Sequence, residues 1–241
     1  MPAADFKNFK RQLGAITRGD STSKKMAIVF TADEFGDGGT SIIKALQKEQ
    51  IKASFFLTGR FYSNKKFAGT ITALRNNGHY LGAHSNDHLL YNDWQKRDSL
   101  LVTQHEFETD LLKNYEAMKT WGIQKKEARF FLPPYEWYND SIASWTSQLG
   151  LQLINHSPGT LSAADYTWPA LPNYRSSETI LQSIKNFETS SPSRLNGFIL
   201  LLHLGTDPAR SDKFYHHLPE LLSWLKQKGY QPLRIDELLG G

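Results

Sequence analysis

Seven short apolar runs, each followed by a segment of helical periodicity or a polar loop, constrain this chain more than any other feature. The runs lie at residues 26–31, 53–57, 79–83, 128–132, 151–155, 198–204 and 231–235. Runs of this length bounded by polar and glycine-rich segments read as buried strands. Between them, apolar residues at helical spacing predict helices over 41–50, 67–77, about 99–121, 141–149, 178–188 and 218–228. The longest of these draws its apolar face from Leu101, Phe107, Leu111, Leu112, Tyr115 and Met118. Gly78, Gly122, Gly150 and Gly229 each follow a predicted helix, the place where a left-handed residue ends a helix before the next strand. Repeated βα units imply an α/β fold with a parallel sheet covered by helices, either open or closed into a barrel.

A chain of 241 residues with 39% hydrophobic and 12% aromatic residues has enough material for one large domain and is not disordered. Its net charge of +4 is spread without a Lys/Arg run, which speaks for solubility rather than a nucleic-acid partner. The absence of cysteine excludes disulfide scaffolds, thiolate metal sites and thiol catalysis. Residues 1–20 carry Lys7, Lys10, Arg11 and Arg18 and no apolar run, so neither a signal peptide nor a membrane span is expected there. Residues 1–25 read as an N-terminal extension and 26–241 as the main domain. The stretch 158–175, with Pro158, Pro169 and Pro172, reads as a long loop on the functional face.

In parallel α/β architectures ligands bind beyond the carboxyl ends of the strands, and the unusual polar residues fall there. Asp33 and Glu34 follow the first run, His84 and His88 the third, Pro133, Pro134 and Tyr135 the fourth, and His203 sits within the sixth. His84 and His88, spaced i and i+4, would present both imidazoles to one side if the chain makes a helical turn, and with a carboxylate could hold a metal. Two solvated histidines is the alternative. Adjacent acids at 33 and 34 could divide metal binding from base chemistry, or could simply be solvated. His203, flanked by leucines, reads by itself as a buried core histidine. His79, His105, His216 and His217 read as structural or solvated, whereas His156 on the ligand face could touch substrate. Trp137, Tyr138, Tyr166 and Trp168 could stack on a ligand face or serve packing. Gly36, Asp37, Gly38 and Gly39 match neither a dinucleotide nor a phosphate-loop pattern.

Together these segments resemble the polysaccharide deacetylase family, also called carbohydrate esterase family 4 or the NodB homology domain. Thr31-Ala32-Asp33-Glu34 is similar to its Thr-Phe-Asp-Asp motif, and His84-Ser85-Asn86-Asp87-His88 matches its His-(Ser/Thr)-x-x-His motif in full. Leu132-Pro133-Pro134-Tyr135 is similar to Arg-Pro-Pro-Tyr, Leu201-Leu202-His203 to Leu-x-His, and Asp165 with Trp168 loosely to an Asp/Trp motif. The resemblance implies a distorted (β/α) barrel of about seven parallel strands surrounded by helices. It implies a metal-dependent deacetylase acting on N-acetyl or O-acetyl groups of a carbohydrate, with Asp33 as base, His203 as acid and Asp165 as its partner. Glu34, His84 and His88 fall at the metal-ligand positions. The backbone N–H of Tyr135 would face the oxyanion, Leu201 would line the acetyl pocket, and Trp168 and His156 would touch substrate. Zinc is the default cation, with cobalt, nickel and manganese suited to similar ligands. Polymeric acetylated sugars as substrate imply a place outside the cytoplasm.

Three departures stand out. Glu34 replaces an Asp, Glu136 replaces a Gly, and Leu132 replaces an Arg that pairs with the base. Without that cation Asp33 should be more basic, unless Arg129 supplies the charge. A carbohydrate-binding barrel without catalysis and a hydrolase of non-sugar C–N bonds are the alternative readings.

Overall fold

The computed structural model describes residues 9–240. Its centre is β3 (Lys25–Ala32), buried along all but its first residue. Such a strand must be covered on both faces and paired on both edges. On one side β3 pairs with β4 (Ser54–Leu57), which pairs in turn with β5 (Tyr80–Ala83), β6 (Phe130–Phe131) and β7 (Gln152–Leu153). On the other it pairs with β8 (Ile199–His203), and its first residues also pair with β9 (Gln231–Leu233). All these pairings are parallel, and they make one seven-stranded sheet. The sheet curls into a distorted barrel with helices outside, as the βα alternation and the family resemblance imply.

The principal helices are α1 (Gly39–Glu49), α2 (Gly59–Ser63), α3 (Ala68–Asn76), α4 (Gln104–Lys119), α5 (Asp140–Gln148), α6 (Ser177–Ser190), α7 (Leu218–Gln227) and α8 (Ile235–Leu238). Each buries an apolar stripe against the sheet; in α1 it is Ile42, Ile43 and Leu46. The four glycines singled out in the sequence all have positive φ, between 72° and 80°, which fits left-handed caps between helix and strand. Two boundaries differ from the periodicity reading. The helix expected from about residue 99 begins at Gln104, because Thr103 and Glu106 form a reciprocal capping box that fixes the first turn. The separate helix α2 was not expected; the Thr58 side chain caps it by accepting from the Phe61 N–H. Strands 6 and 7 shrink to two residues each, since curvature limits regular pairing at that edge.

The described part of the expected extension, residues 9–25, packs into the domain. β1 (Lys10–Gln12) and β2 (Ala15–Arg18) form an antiparallel hairpin, and Ala15 and Ile16 are fully buried. Ile16 bridges Ile154, just after β7, while Arg18 bridges Phe198, just before β8. Thus β2 lies in the gap between the two ends of the sheet. The Arg18 guanidinium donates to the carbonyls of Ser193, Arg194 and Asn196, which satisfies a charge that burial would otherwise strand. With only Ala15, Ile16 and Thr17 ahead of a buried arginine, the segment carries too short an apolar signal to register as a strand. Residues 1–8 of the expected extension lie outside the described residues.

Candidate active site

The carboxyl ends of β3, β5, β6 and β8 meet at a cavity of about 630 Å³. Asp33, Glu34, His84, His88, Tyr135 and His203 all line it, and Trp168 stands at its wall. Residues 170 positions apart in sequence thus face one space, as the strand-end rule requires.

Asp33 is held from the neighbouring strand end. The Thr58 hydroxyl donates to its Oδ1 at 2.9 Å, and Arg60 Nε donates to the same oxygen at 3.0 Å. Arg60 Nη2 closes a bidentate pair on Oδ2. Arg60 therefore supplies the cation that Leu132 cannot, and the expectation of an Asp33 without a cationic partner fails. Arg129 does not fill that role: it lies at the start of β6 and lines a different cavity with His79 and Tyr80. Fork geometry is what favours arginine at such a carboxylate. The signal for Arg60 was present, since it stands three residues past the end of β4.

The His84–His88 segment is not the helical turn that would align i and i+4. Left-handed backbone at Ser85 (φ 71°) and His88 (φ 54°) makes the bend. The ring centroids end 5.0 Å apart at 58°. Several buried polar groups hold this strained loop. Asp110 accepts the backbone N–H groups of Asn86 and Asp87 at 3.0 and 2.9 Å, and Asn114 accepts that of His84 at 2.9 Å. At Gly59 a Cβ would come within 2.0 Å of Asn86 Oδ1, so α2 can approach this loop only without a side chain. Left-handed non-glycine residues recur at Tyr135 (φ 57°) and Glu136 (φ 54°), and such strain concentrates where function over-determines the backbone.

His84 Nδ1 lies 2.8 Å from the Leu132 carbonyl, so this nitrogen carries the proton and Nε2 keeps its lone pair. Burial, followed by the nearby His88, holds the His84 pKa well below the usual histidine value. Burial, with the charge of Arg60, brings His88 down to about 4. Both imidazoles are thus neutral at ordinary pH, the state in which they can bind a cation. Among the described residues no three His, Asp or Glu side chains are gathered closely enough to form a finished metal cluster. The two nitrogen donors suit a borderline divalent cation, and Glu34, an exposed carboxylate, lines the same cavity.

His203, at the end of β8, is not an isolated core histidine. Its Nδ1 pairs with Asp165 Oδ1 at 2.6 Å, and its backbone N–H donates to Asp165 Oδ2 at 2.9 Å. Asp165 is 2% exposed, on a short 3₁₀ segment, Ser162–Tyr166, within the long loop. Burial alone would lower the His203 pKa, but the charge and hydrogen bond of Asp165, joined by Glu136, hold it above the usual value. Burial pushes the Glu136 carboxyl up to about 7, with Asp165 adding to the effect and His203 opposing it. The fully buried Arg210 anchors the same loop by donating to the carbonyls of Thr167 and Arg175.

Two expected substrate contacts are not among the residues that line this cavity. Leu201 is fully buried on β8, one strand repeat deeper than His203. His156 is half-buried, its backbone N–H and ring both directed at Asn155 Oδ1; burial, with the charge of His203, brings its pKa down to about 4. Of the aromatic candidates, Tyr138 is fully buried with its hydroxyl on the Gln12 carbonyl, and Trp137 packs under Arg97 at 3.9 Å. Tyr166 and Trp168 do line the cavity. Trp94, which sequence reasoning missed, is 54% exposed and meets Tyr135 edge-on at 5.5 Å. Nothing in its local sequence, in a loop between β5 and α4, marks it.

A family model described as polysaccharide deacetylase matches residues 19–154, more than half of the chain. The chain is 26% identical over 222 residues to a bifunctional xylanase/deacetylase of Pseudobutyrivibrio xylanivorans, covering 91% of this chain and 31% of that protein. It is 24% identical over 171 residues to a peptidoglycan-N-acetylglucosamine deacetylase of Bacillus cereus, covering 64% of this chain and 58% of that protein. The chain thus spans less than two-thirds of the length of these curated relatives. Among solved structures its fold is similar to a carbohydrate esterase family 4 pseudoenzyme from Bacillus anthracis. The TM-score is 0.73 at 20% identity, over 95% of this chain and 70% of that one.

Proposed function

Because the chain belongs to the polysaccharide deacetylase family, we propose that it removes acetyl groups, N-linked in the first instance, from a polymeric or oligomeric carbohydrate outside the cytoplasm. The observation that carries this reading is the placement of two differently supported groups at one cavity. Asp33 is a carboxylate oriented by Thr58 and Arg60, while His203 is an imidazole whose charged form Asp165 supports. An oriented carboxylate and a supported imidazolium can serve as base and acid.

Trp94, Tyr135, Tyr166 and Trp168 rim the cavity and would stack on sugar faces, which leaves the acetamido group pointing inward. Asp33 takes the proton of the attacking water, the fork of Arg60 keeping its carboxylate turned toward that water. The Tyr135 N–H, set by its left-handed backbone, donates to the oxygen of the tetrahedral intermediate. His203 then gives its Nε2 proton to the departing sugar nitrogen, while Asp165 stabilises the imidazolium and fixes its tautomer. His84, His88 and Glu34 would hold a divalent cation, zinc by default with cobalt, nickel or manganese as alternatives, and when bound it supplies Lewis-acid polarisation of carbonyl and water.

A specific feature favours a second reading, a carbohydrate-binding barrel without turnover: among the described residues no third donor is gathered with His84 and His88, and Asp33 is already engaged on both oxygens. Acetate release from N-acetylglucosamine oligomers, acetyl-xylan and peptidoglycan, measured with each metal added, separates the two. The proposal expects release that is lost in Asp33→Asn and His203→Ala. Binding of these glycans without acetate release from any of them would overturn it.

A further inference from the structure

The proposed chemistry gives no task to Glu136, although this residue lines the same cavity as Asp33 and His203. It stands shortly after β6 in left-handed backbone (φ 54°), directly behind Tyr135 at φ 57°. A glycine takes such a conformation without steric cost, whereas a residue with a β-carbon is strained in it. The main chain is pinned on both sides. The Glu136 N–H donates to the Pro133 carbonyl at 3.1 Å, and the Glu136 carbonyl accepts from Asn155 Nδ2 at 2.9 Å. A side chain is thus carried, in a fixed direction, at a position whose backbone would suit glycine better.

The carboxyl group itself is unpaired. Among the described residues it takes no hydrogen bond and forms no ion pair, and no lysine or arginine lines the cavity. Its oxygens are not sealed off: the residue is half-buried, and neither oxygen is among the fully buried side-chain atoms that lack a partner. The charges of Glu136 and His203 act on each other, so the two groups are neighbours at the cavity. Asp165 occupies His203 Nδ1, which leaves Nε2 as the ring nitrogen that can meet a ligand. An accessible, unsatisfied acceptor therefore stands beside the group that delivers the proton.

We propose that Glu136 selects nitrogen over oxygen at the scissile bond: its carboxylate accepts the N–H of an acetamido group beside His203, and an acetate ester, with no hydrogen there, leaves it unpaired. The inference rests on the deacetylase reading and deepens it to one substrate class. As the C–N bond breaks, its electron pair goes to nitrogen, which takes the His203 proton and keeps its own hydrogen on Glu136. The acetyl group leaves as acetic acid, whose proton passes to the amine to give acetate and an ammonium ion, a cation that a carboxylate holds. The proton that Asp33 took from water restores His203. In the ester, the leaving oxygen turns a lone pair toward Glu136 where the amide turns an N–H, and an acceptor facing an acceptor is unfavourable. A site whose polar group one substrate satisfies and another does not discriminates strongly between them.

The test compares oligomers of N-acetylglucosamine with glucose oligomers acetylated at the same ring position, using the whole chain with metal added. The assay pH lies above about 7, where burial has set the Glu136 carboxyl to titrate. Glu136→Gln, whose NH₂ can turn toward an ester oxygen, should lower the amide-to-ester ratio of kcat/KM about ten- to hundredfold, the range of one hydrogen bond to a charged group. Glu136→Gly, relaxed in this backbone, should lower it likewise and serves should the glutamine variant fail to fold. Weaker support of the His203 imidazolium would also slow an amide more than an ester, so binding supplies a readout that acid strength does not move. By calorimetry the wild-type protein should bind glucosamine oligomers more tightly than glucose oligomers, and both variants should lose that preference about tenfold. An unchanged amide-to-ester ratio, equal loss of both turnovers, or an amine preference that survives in both variants overturns the proposal. Absence of acetate from both substrates refutes the deacetylase reading instead, and the binding comparison then still decides whether Glu136 recognises nitrogen.

Discussion

Asp165→Asn is the sharpest test of how the acid side of the site works. In the native site both carboxylate oxygens accept, Oδ2 from the His203 backbone N–H and Oδ1 from Nδ1. Asparagine has one acceptor and one donor in the same volume. Turning its NH₂ toward the backbone N–H would leave a buried donor facing a donor, at about 1–3 kcal/mol, so the amide oxygen takes the backbone N–H and the NH₂ faces Nδ1. That arrangement forces the neutral tautomer with its proton on Nε2 and removes the charged hydrogen bond that supports the imidazolium. A hydrogen bond to a charged group is worth about 1.5–3 kcal/mol, so the imidazolium population falls about ten- to hundredfold at fixed pH. The sign follows from linkage. The folded pKa of His203 is raised, so its stabilisation is present below the unfolded value and lost as pH rises through the folded one. In Asp165→Asn this alkaline loss disappears, and burial alone then holds the ring neutral. Long-range ¹⁵N–¹H spectra report the tautomer without any substrate. Deacetylation rates against pH should show kcat lowered about ten- to hundredfold, up to the lower end of what general acid catalysis contributes. A variant whose Nδ1 stays protonated, with kcat within about twofold of wild type across the profile, would refute the reasoning.

Arg60→Ala should lower kcat about ten- to hundredfold, the usual cost of losing a group that orients a reacting one, whereas Arg60→Lys should recover only part of it because an ammonium cannot fork; equal rates in the three proteins would show Asp33 to be held without it. Gly59→Ala places a Cβ 2.0 Å from Asn86 Oδ1 and should cost about 1–3 kcal/mol of stability by overpacking, read from urea midpoints, with the His84–His88 loop displaced. Acid should destabilise the fold before the carboxylates titrate. His79 has its folded pKa lowered to about 4, so the unfolded chain takes its proton first, and stability present above the unfolded value near 6.5 is lost as pH falls toward 4. The loss amounts to about 3 kcal/mol at most for that group. His79→Asn should flatten the corresponding slope of unfolding free energy against pH by one proton, and an unchanged slope would place that proton elsewhere.

What could be read from the sequence follows a physical division. The apolar runs marked β3, β4, β5 and β8 well, because a strand buried on both faces must be apolar along its whole length. β2 escaped notice because Ala15 to Arg18 offers two aliphatic residues and then a buried arginine satisfied by carbonyls some 175 positions away. Asp33, His84, His88 and His203 were legible because local motifs place them at strand ends. Arg60 and Trp94 were not singled out, since their importance comes from what they meet across the cavity. Leu201 has a subtler place: two positions before His203 on the same strand, it shares that residue's face while lying one repeat deeper, fully buried.

The Arg60 pair bears on whether the departures from the family pattern mean lost chemistry. Read along the chain, Leu132 looks like the deletion of a charge beside the base. Read in space, Leu132 is fully buried and its carbonyl holds His84 Nδ1, while the charge has moved to α2 and reaches Asp33 from the neighbouring strand end. Position 132 is therefore free to be apolar because another element carries the cation. Such a transfer preserves a constraint on Asp33 that a chain selected only for folding would not need. Arg60, with 45% of its side chain exposed, could be solvated with little loss of stability, since exposed ion pairs contribute little. Glu136 fits the same logic: a carboxyl held near 7 beside His203 is costly to bury and contributes to keeping the imidazole charged. Two groups with separate supporting partners, Asp33 with Arg60 and His203 with Asp165, support the proposed hydrolytic reading over an inert sugar-binding face.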